Sequence, residues 1–97
     1  MHAVVGTVSM DREHFEAQQE FLHDVILPNL RERPGFVAGY WMYDDAAALG
    51  RVTIVFTSEE AARSFWRVTA GSTDHRREIG LSFTDLHLLK VLAHATA

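Results

Sequence analysis

The chain has 97 residues, 47% of them hydrophobic, a formal net charge of −4 and no cysteine. That length and composition predict one domain over residues 1–97 with one modest core, and argue against disorder. Disulfides, thiolate catalysis and cysteine-ligated zinc or iron–sulfur sites are excluded, and the acidic balance argues against a nucleic-acid surface.

Ala3 to Met10 reads as a strand, with Val4, Gly6, Val8 and Met10 on one face and Val5, Thr7 and Ser9 on the other. Asp11 is a candidate N-cap. The spacing of Phe15, Gln19, Leu22, Ile26 and Leu30 predicts a helix from about Arg12 to Arg31, its buried stripe widened by Val25 and Leu27. Pro28 lies inside that pattern, removes one helical hydrogen bond and crowds the carbonyl of Asp24, so a kink or restart is expected there. On a regular helical wheel His23 falls among Ile26, Leu27 and Leu30. An imidazole in that arc is either a hydrogen-bonded structural group or a general base titrating near neutrality.

Pro34 and Gly35 end the helix in a turn. The strand that follows runs to Tyr43. Phe36, Ala38, Tyr40 and Met42 point one way, and Val37, Gly39, Trp41 and Tyr43 the other. Both faces are apolar and both want cover. Asp44 to Gly50 reads as a hairpin loop and Arg51 to Phe56 as the third strand. Ser58, followed by Glu59 and Glu60, starts a second helix that runs to about Ala70, with Gly71 as its C-terminal cap. Ala61, Ala62, Phe65, Val68 and Thr69 form its buried face, Trp66 lies at the edge, and Arg63 and Arg67 face away. Ser72 or Thr73 is placed to cap one short turn carrying His75, Arg76 and Arg77. Asp85 to Ala93 is the last strand, and the tail frays from about Ala95.

The order β-α-β-β-α-β predicts an α+β, ferredoxin-like βαββαβ fold. It has a four-stranded antiparallel sheet with two helices on one face. The other face would be an exposed apolar patch, so a homodimer through the open sheet face is expected, pairing as a dimeric α+β barrel. No apolar run reaches the length of a membrane span, and the N-terminus lacks the features of a signal peptide, so a cytoplasmic protein is expected. No pair of histidines has metal-ligand spacing, and no metal site is expected. Arg63, Arg67, Arg76 and Arg77 form a basic cluster. It is either a solvated surface paired with glutamates or a rim for the carboxylate or phenolate of a ligand.

Leu27-Pro28-Asn29-Leu30-Arg31-Glu32-Arg33-Pro34-Gly35-Phe36, then Val37-Ala38-Gly39-Tyr40-Trp41, then Val55-Phe56-Thr57-Ser58-Glu59-Glu60-Ala61-Ala62 carry a resemblance. The chain resembles the dimeric α+β barrel superfamily and, more narrowly, is similar to the antibiotic biosynthesis monooxygenase-like domains. The resemblance covers nearly the whole chain and implies a pocket between helices and sheet for a small apolar or aromatic ligand. It implies cofactor-independent monooxygenation of an aromatic or polyketide-like substrate, with no cofactor required. Trp66 fits the family's tryptophan position, although Ala62 stands where quinone-forming members carry asparagine. Under this reading His23 is the base, Trp66 an aromatic wall, and Tyr40, Tyr43, Phe65, His75 and Arg67 substrate-binding residues. The haem-degrading members imply a second reading. There His75 stands near the axial-ligand position, Phe65 or Trp66 near the tryptophan, and Gly6 and Thr7 on the first strand near the asparagine. A non-enzymatic binding or assembly module is the third.

Overall fold

Four strands build the sheet: β1 (His2–Met10), β2 (Phe36–Asp44), β3 (Leu49–Phe56) and β4 (Leu81–Lys90). They lie in the order β2-β3-β1-β4, antiparallel throughout, as the ferredoxin-like fold requires. The structure is a computed structural model that describes residues 1–71 and 74–97; the expected cap at Ser72 or Thr73 lies outside them.

The first helical run is continuous but changes pitch. Asp11 accepts at Oδ1 from the Glu13 amide (2.9 Å) and opens a 3-10 turn, Arg12–His14. Helix α1 (Phe15–Phe21) follows, then a π-turn over Leu22–Ile26, then α2 (Leu27–Arg31). In the π-turn the Leu27 amide donates to the Leu22 carbonyl, five residues back. Asp24, whose carbonyl the Pro28 ring crowds, sits inside that turn. Pro28 thus disturbs the helix as expected, by widening the turn ahead of it. The widened turn delays the helical phase by about one residue, or roughly 100°. That delay keeps Gln18, Leu22, Ile26 and Leu30 on one face at four-residue spacing. Gly35, at φ 82°, then turns the chain into β2, and the Thr57 amide donates to its carbonyl (2.8 Å).

Strand parity departs from simple alternation at two bulges. In β2 the register slips between Phe36 and Ala38. Phe36 therefore shares the helix-facing side with Trp41 and Tyr43, where strict alternation would place it opposite. Its ring lies 6.2 Å from Phe56. In β4 the slip falls between the partners of Thr7 and Val8, so Thr84 is the extra residue. Leu81 and Phe83 before the bulge, and Leu86 and Leu88 after it, all face the helices. That break in alternation hides the first part of the strand from a periodic reading, and β4 runs Leu81–Lys90 where Asp85 to Ala93 was expected. Gly80, at φ 73°, makes the turn into it.

Helix α3 (Glu59–Gly71) starts where expected, with the Ala61 amide donating to the Ser58 hydroxyl (3.2 Å). Arg63 pairs with Glu59 one turn back at 2.7 Å and holds that carboxyl below its usual range, a surface pair of little energetic weight. A short helix, α4 (Asp74–Glu78), carries His75 and Arg76.

The core lies at one end of the sandwich. Val4, Leu30, Ile54, Phe56 and Ala62 are fully buried, with Phe36, Trp41, Phe65, Trp66, Leu86 and Leu88 packed around them. Gly39 makes room for Trp41, because a Cβ there would stand 2.6 Å from the indole. Among the described residues no helix covers the opposite sheet face. Tyr40 (61% exposed), Met42 and Leu89 stand on it beside Thr53, Val55, Val5 and His87. Among the described residues no helix is long and apolar enough to cross a membrane. Among them, too, no group of three or more His, Asp or Glu is placed to hold a metal ion.

Candidate functional site

Beside the packed core, whose Val4, Leu30 and Ile54 reach its lining, helix and sheet separate around a cavity of about 840 Å³. That volume suits a drug-sized molecule. Helix α3 rests on β1 and β4, whereas α1 and the π-turn touch the sheet less closely. The floor is the helix-facing side of the sheet: Gly6 and Val8 from β1, Gly50 and Val52 from β3, and Phe83 and Leu86 from β4. Two floor glycines are required by close neighbours. A Cβ on Gly50 would come within 2.6 Å of Val8 Cγ1 and 2.8 Å of Met10 Sδ. One on Gly6 would meet Leu86 and Phe83 at 3.0 Å. Phe15, Gln19, Leu22, Val25 and Asn29 form one wall, and Phe65, Val68 and Thr69 form the other. Val25 (41% exposed) and Val68 (51%) are both cavity-lining and solvent-exposed, so the mouth opens between the two helical walls.

Polar groups stand around this apolar space. His75 closes one side, its ring 4.7 Å from Phe21 and its Nδ1 3.5 Å from Glu78 Oε2. Tyr43 lies at the far end with its ring 5.5 Å from Phe15. Arg12 stands beside the Tyr43 phenol, which raises the guanidinium above its ordinary pKa, and Arg12 also donates to the Asp45 carbonyl. Arg33 lies over Phe65 at 5.2 Å and Arg76 over Phe83 at 5.1 Å. Arg76 also donates to the Thr69 carbonyl, and burial pulls its pKa below the usual guanidinium value.

Gln18 ties the site together. It is 3% exposed, and its amide nitrogen donates to the carbonyls of Asp11 and Ile79, both at 2.9 Å. The Asp11 amide also donates to the Gly80 carbonyl at 2.9 Å. These bonds fasten α1 to the turn that follows α4, and so fix the helix that carries His75.

Of the residues expected at a site, Tyr43, Phe65 and His75 come together in the cavity lining. His23 does not. It is exposed on the outside of the π-turn, because the phase delay rotates it away from Leu30 and Ile26. Trp66 also stands outside the lining. It sits one helical step from Phe65 and turns toward β4, where its indole nitrogen donates to the Leu86 carbonyl at 3.2 Å. Tyr40 is on the opposite face of the sheet, since its neighbours Trp41 and Tyr43 point inward. Arg67 is exposed on the outer side of α3. The lining adds Gln18, Asn29, Phe21, Arg33 and Phe83, which carry no catalytic motif. Their only sequence signal is polar or aromatic residues within or next to an apolar stripe.

No family model and no curated protein sequence matches the chain. Solved structures of the same shape do. A monooxygenase from the gene ActVA-Orf6 of Streptomyces coelicolor, in complex with the ligand nanaomycin D, aligns with a TM-score of 0.67 and 16% identity. The alignment covers 99% of this chain and 91% of that one. A mutant of MhuD with two manganese protoporphyrin IX bound per active site aligns with a TM-score of 0.71 and 15% identity, over 100% of both chains. A dimeric ferredoxin-like protein from an uncultured marine organism aligns with a TM-score of 0.71 and 11% identity, over 99% and 98%. The fold of this chain is the ferredoxin-like α+β fold that these structures share.

Proposed function

We propose that the chain is a homodimeric, cofactor-independent monooxygenase that binds a flat aromatic or polyketide-like substrate in the cavity. The observation that carries this reading is the cavity itself: apolar floor and walls, aromatic rings from four elements, and a few polar groups turned toward it. The nanaomycin D complex of a monooxygenase with this fold supports the ligand class, and the dimeric ferredoxin-like protein supports assembly. In the dimer the open sheet face with Tyr40, Met42 and Leu89 is covered by a second copy.

The chemistry asks little of the protein. An electron-rich ring carbon loses a proton, the carbanion reacts with oxygen to give a hydroperoxide, and loss of water leaves a carbonyl. The cavity orients the ring and excludes water. His75 takes the role first expected of His23, because both imidazoles are exposed but only that of His75 lines the cavity. Oxygen uptake with an anthrone or quinol probe is expected for the wild type. His75→Ala is expected to lower it about 10²-fold or more, as removal of a general base does, whereas His23→Ala leaves it within about twofold. Loss with His23→Ala but not His75→Ala would reverse the assignment.

A second reading, haem binding, is favoured by one observation. Glu78 stands beside Nδ1 of His75, the arrangement that orients an imidazole toward a metal through its other nitrogen. His75 would then hold the iron and the apolar walls would hold the macrocycle, which when bound supplies oxygen activation. Haem titration followed at the Soret band distinguishes the two. A saturable, shifted band lost in His75→Ala would favour haem, and a featureless titration leaves the cofactor-independent reading.

A further inference from the structure

Two guanidinium groups enter the cavity wall, and neither has a carboxylate partner among the described residues. Each lies over a ring face, Phe65 for Arg33 and Phe83 for Arg76. Other arginines are differently placed. Arg63 is paired with Glu59, Arg12 reaches the hairpin carbonyls, and Arg51 bonds the Thr7 hydroxyl at 3.1 Å on the outer face. Asp74 is the only acidic residue in the described lining, and it is exposed. In a protein of net charge −4, the cavity is thus locally cationic.

Arg76 is the more constrained of the pair. It is half-buried between Phe83 and the end of α3, with its head fixed by the Thr69 carbonyl. Desolvation depresses its pKa, and no described acid compensates it. One bond to a carbonyl leaves most of its five N–H donors free. A charge held in a ligand cavity, preorganised and short of partners, fits an incoming anion.

We propose that Arg76 is the anion anchor of this cavity and that the ligand is an aromatic carboxylate. Its rings lie on the apolar floor, and its carboxylate takes the free fork of Arg76. The inference rests on the cavity being the ligand site, and it adds a charge requirement to that reading.

The test compares 2-naphthoate with 2-naphthalenemethanol, which has the same rings and no charge. Binding is followed by calorimetry on the wild-type protein at neutral pH and low salt. The carboxylate is expected to bind at least about tenfold more tightly, the size of one charge-assisted hydrogen bond. Arg76→Met is expected to bring that ratio near one while leaving the alcohol's affinity within about twofold, and Arg76→Lys to keep part of the preference. A purely structural role for Arg76 would weaken both probes together. Equal wild-type affinities would overturn the anion anchor and leave the cavity as an apolar site. Preference abolished by Arg33→Met but untouched by Arg76→Met would also overturn it. Binding of neither probe would overturn the anchor and the cavity reading together. If Arg76→Met does not fold, the wild-type ratio and Arg76→Lys still decide.

Discussion

Phe56→Ala is expected to lower the free energy of unfolding by about 3–5 kcal/mol. Phe56 is fully buried at the end of β3, with Phe36 at 6.2 Å and Phe65 at 5.5 Å between ring centroids. It joins the bulged start of β2 to the cavity-facing side of α3. Its loss removes apolar area from the packed end of the molecule and leaves a hole that rigid strands cannot close. For a domain of this size that is a large share of a total of about 5–15 kcal/mol. A urea titration is expected to show a lower midpoint at unchanged slope. A loss below about 1 kcal/mol would mean that the core does not sit around Phe56.

Gln18→Leu is expected to cost about 2–3 kcal/mol, for a different reason. The substitution keeps bulk but removes two donors, so the Asp11 and Ile79 carbonyls lose their 2.9 Å bonds. The His14 amide still donates to the Asp11 carbonyl at 3.1 Å, so the larger effect falls on Ile79. The turn after α4 is then less firmly held, and with it His75. Amide hydrogen exchange is expected to speed up around residues 75–80 beyond the global loss of stability. Uniform acceleration across the chain would show that Gln18 stabilises the fold without positioning the site.

The fold was legible in the sequence because its signals are redundant. Strand and helix periods alternate in an order that few architectures accept, Asp11 and Ser58 mark helix starts, and Pro34 with Gly35 marks the turn into β2. The detail that decides the site was not legible, because it depends on single-residue slips. The Leu22–Ile26 π-turn moves the helical phase by about one residue, which brings Gln18 into the interior and sends His23 into solvent. The bulges at Val37 and Thr84 reverse the parity of Phe36, Leu81 and Phe83. A one-residue error in register moves every side chain of a segment to the other face. Trp66 shows the same sensitivity on a helix. One step around α3 separates Phe65, in the cavity, from Trp66, against β4. His75 was legible through the family resemblance alone, since α4 is too short to carry a periodic pattern.

The central claim, that a flat aromatic ligand binds between the helices and the sheet, is tested most directly by nitrogen-15 amide shifts during titration with 2-naphthoate. Saturable shifts at Gly6, Gly50, Val52, Gln19 and His75, with Tyr40, Thr53 and His87 on the opposite face unmoved, are the expected result. Shifts confined to that opposite face, or none at saturating ligand, would contradict it.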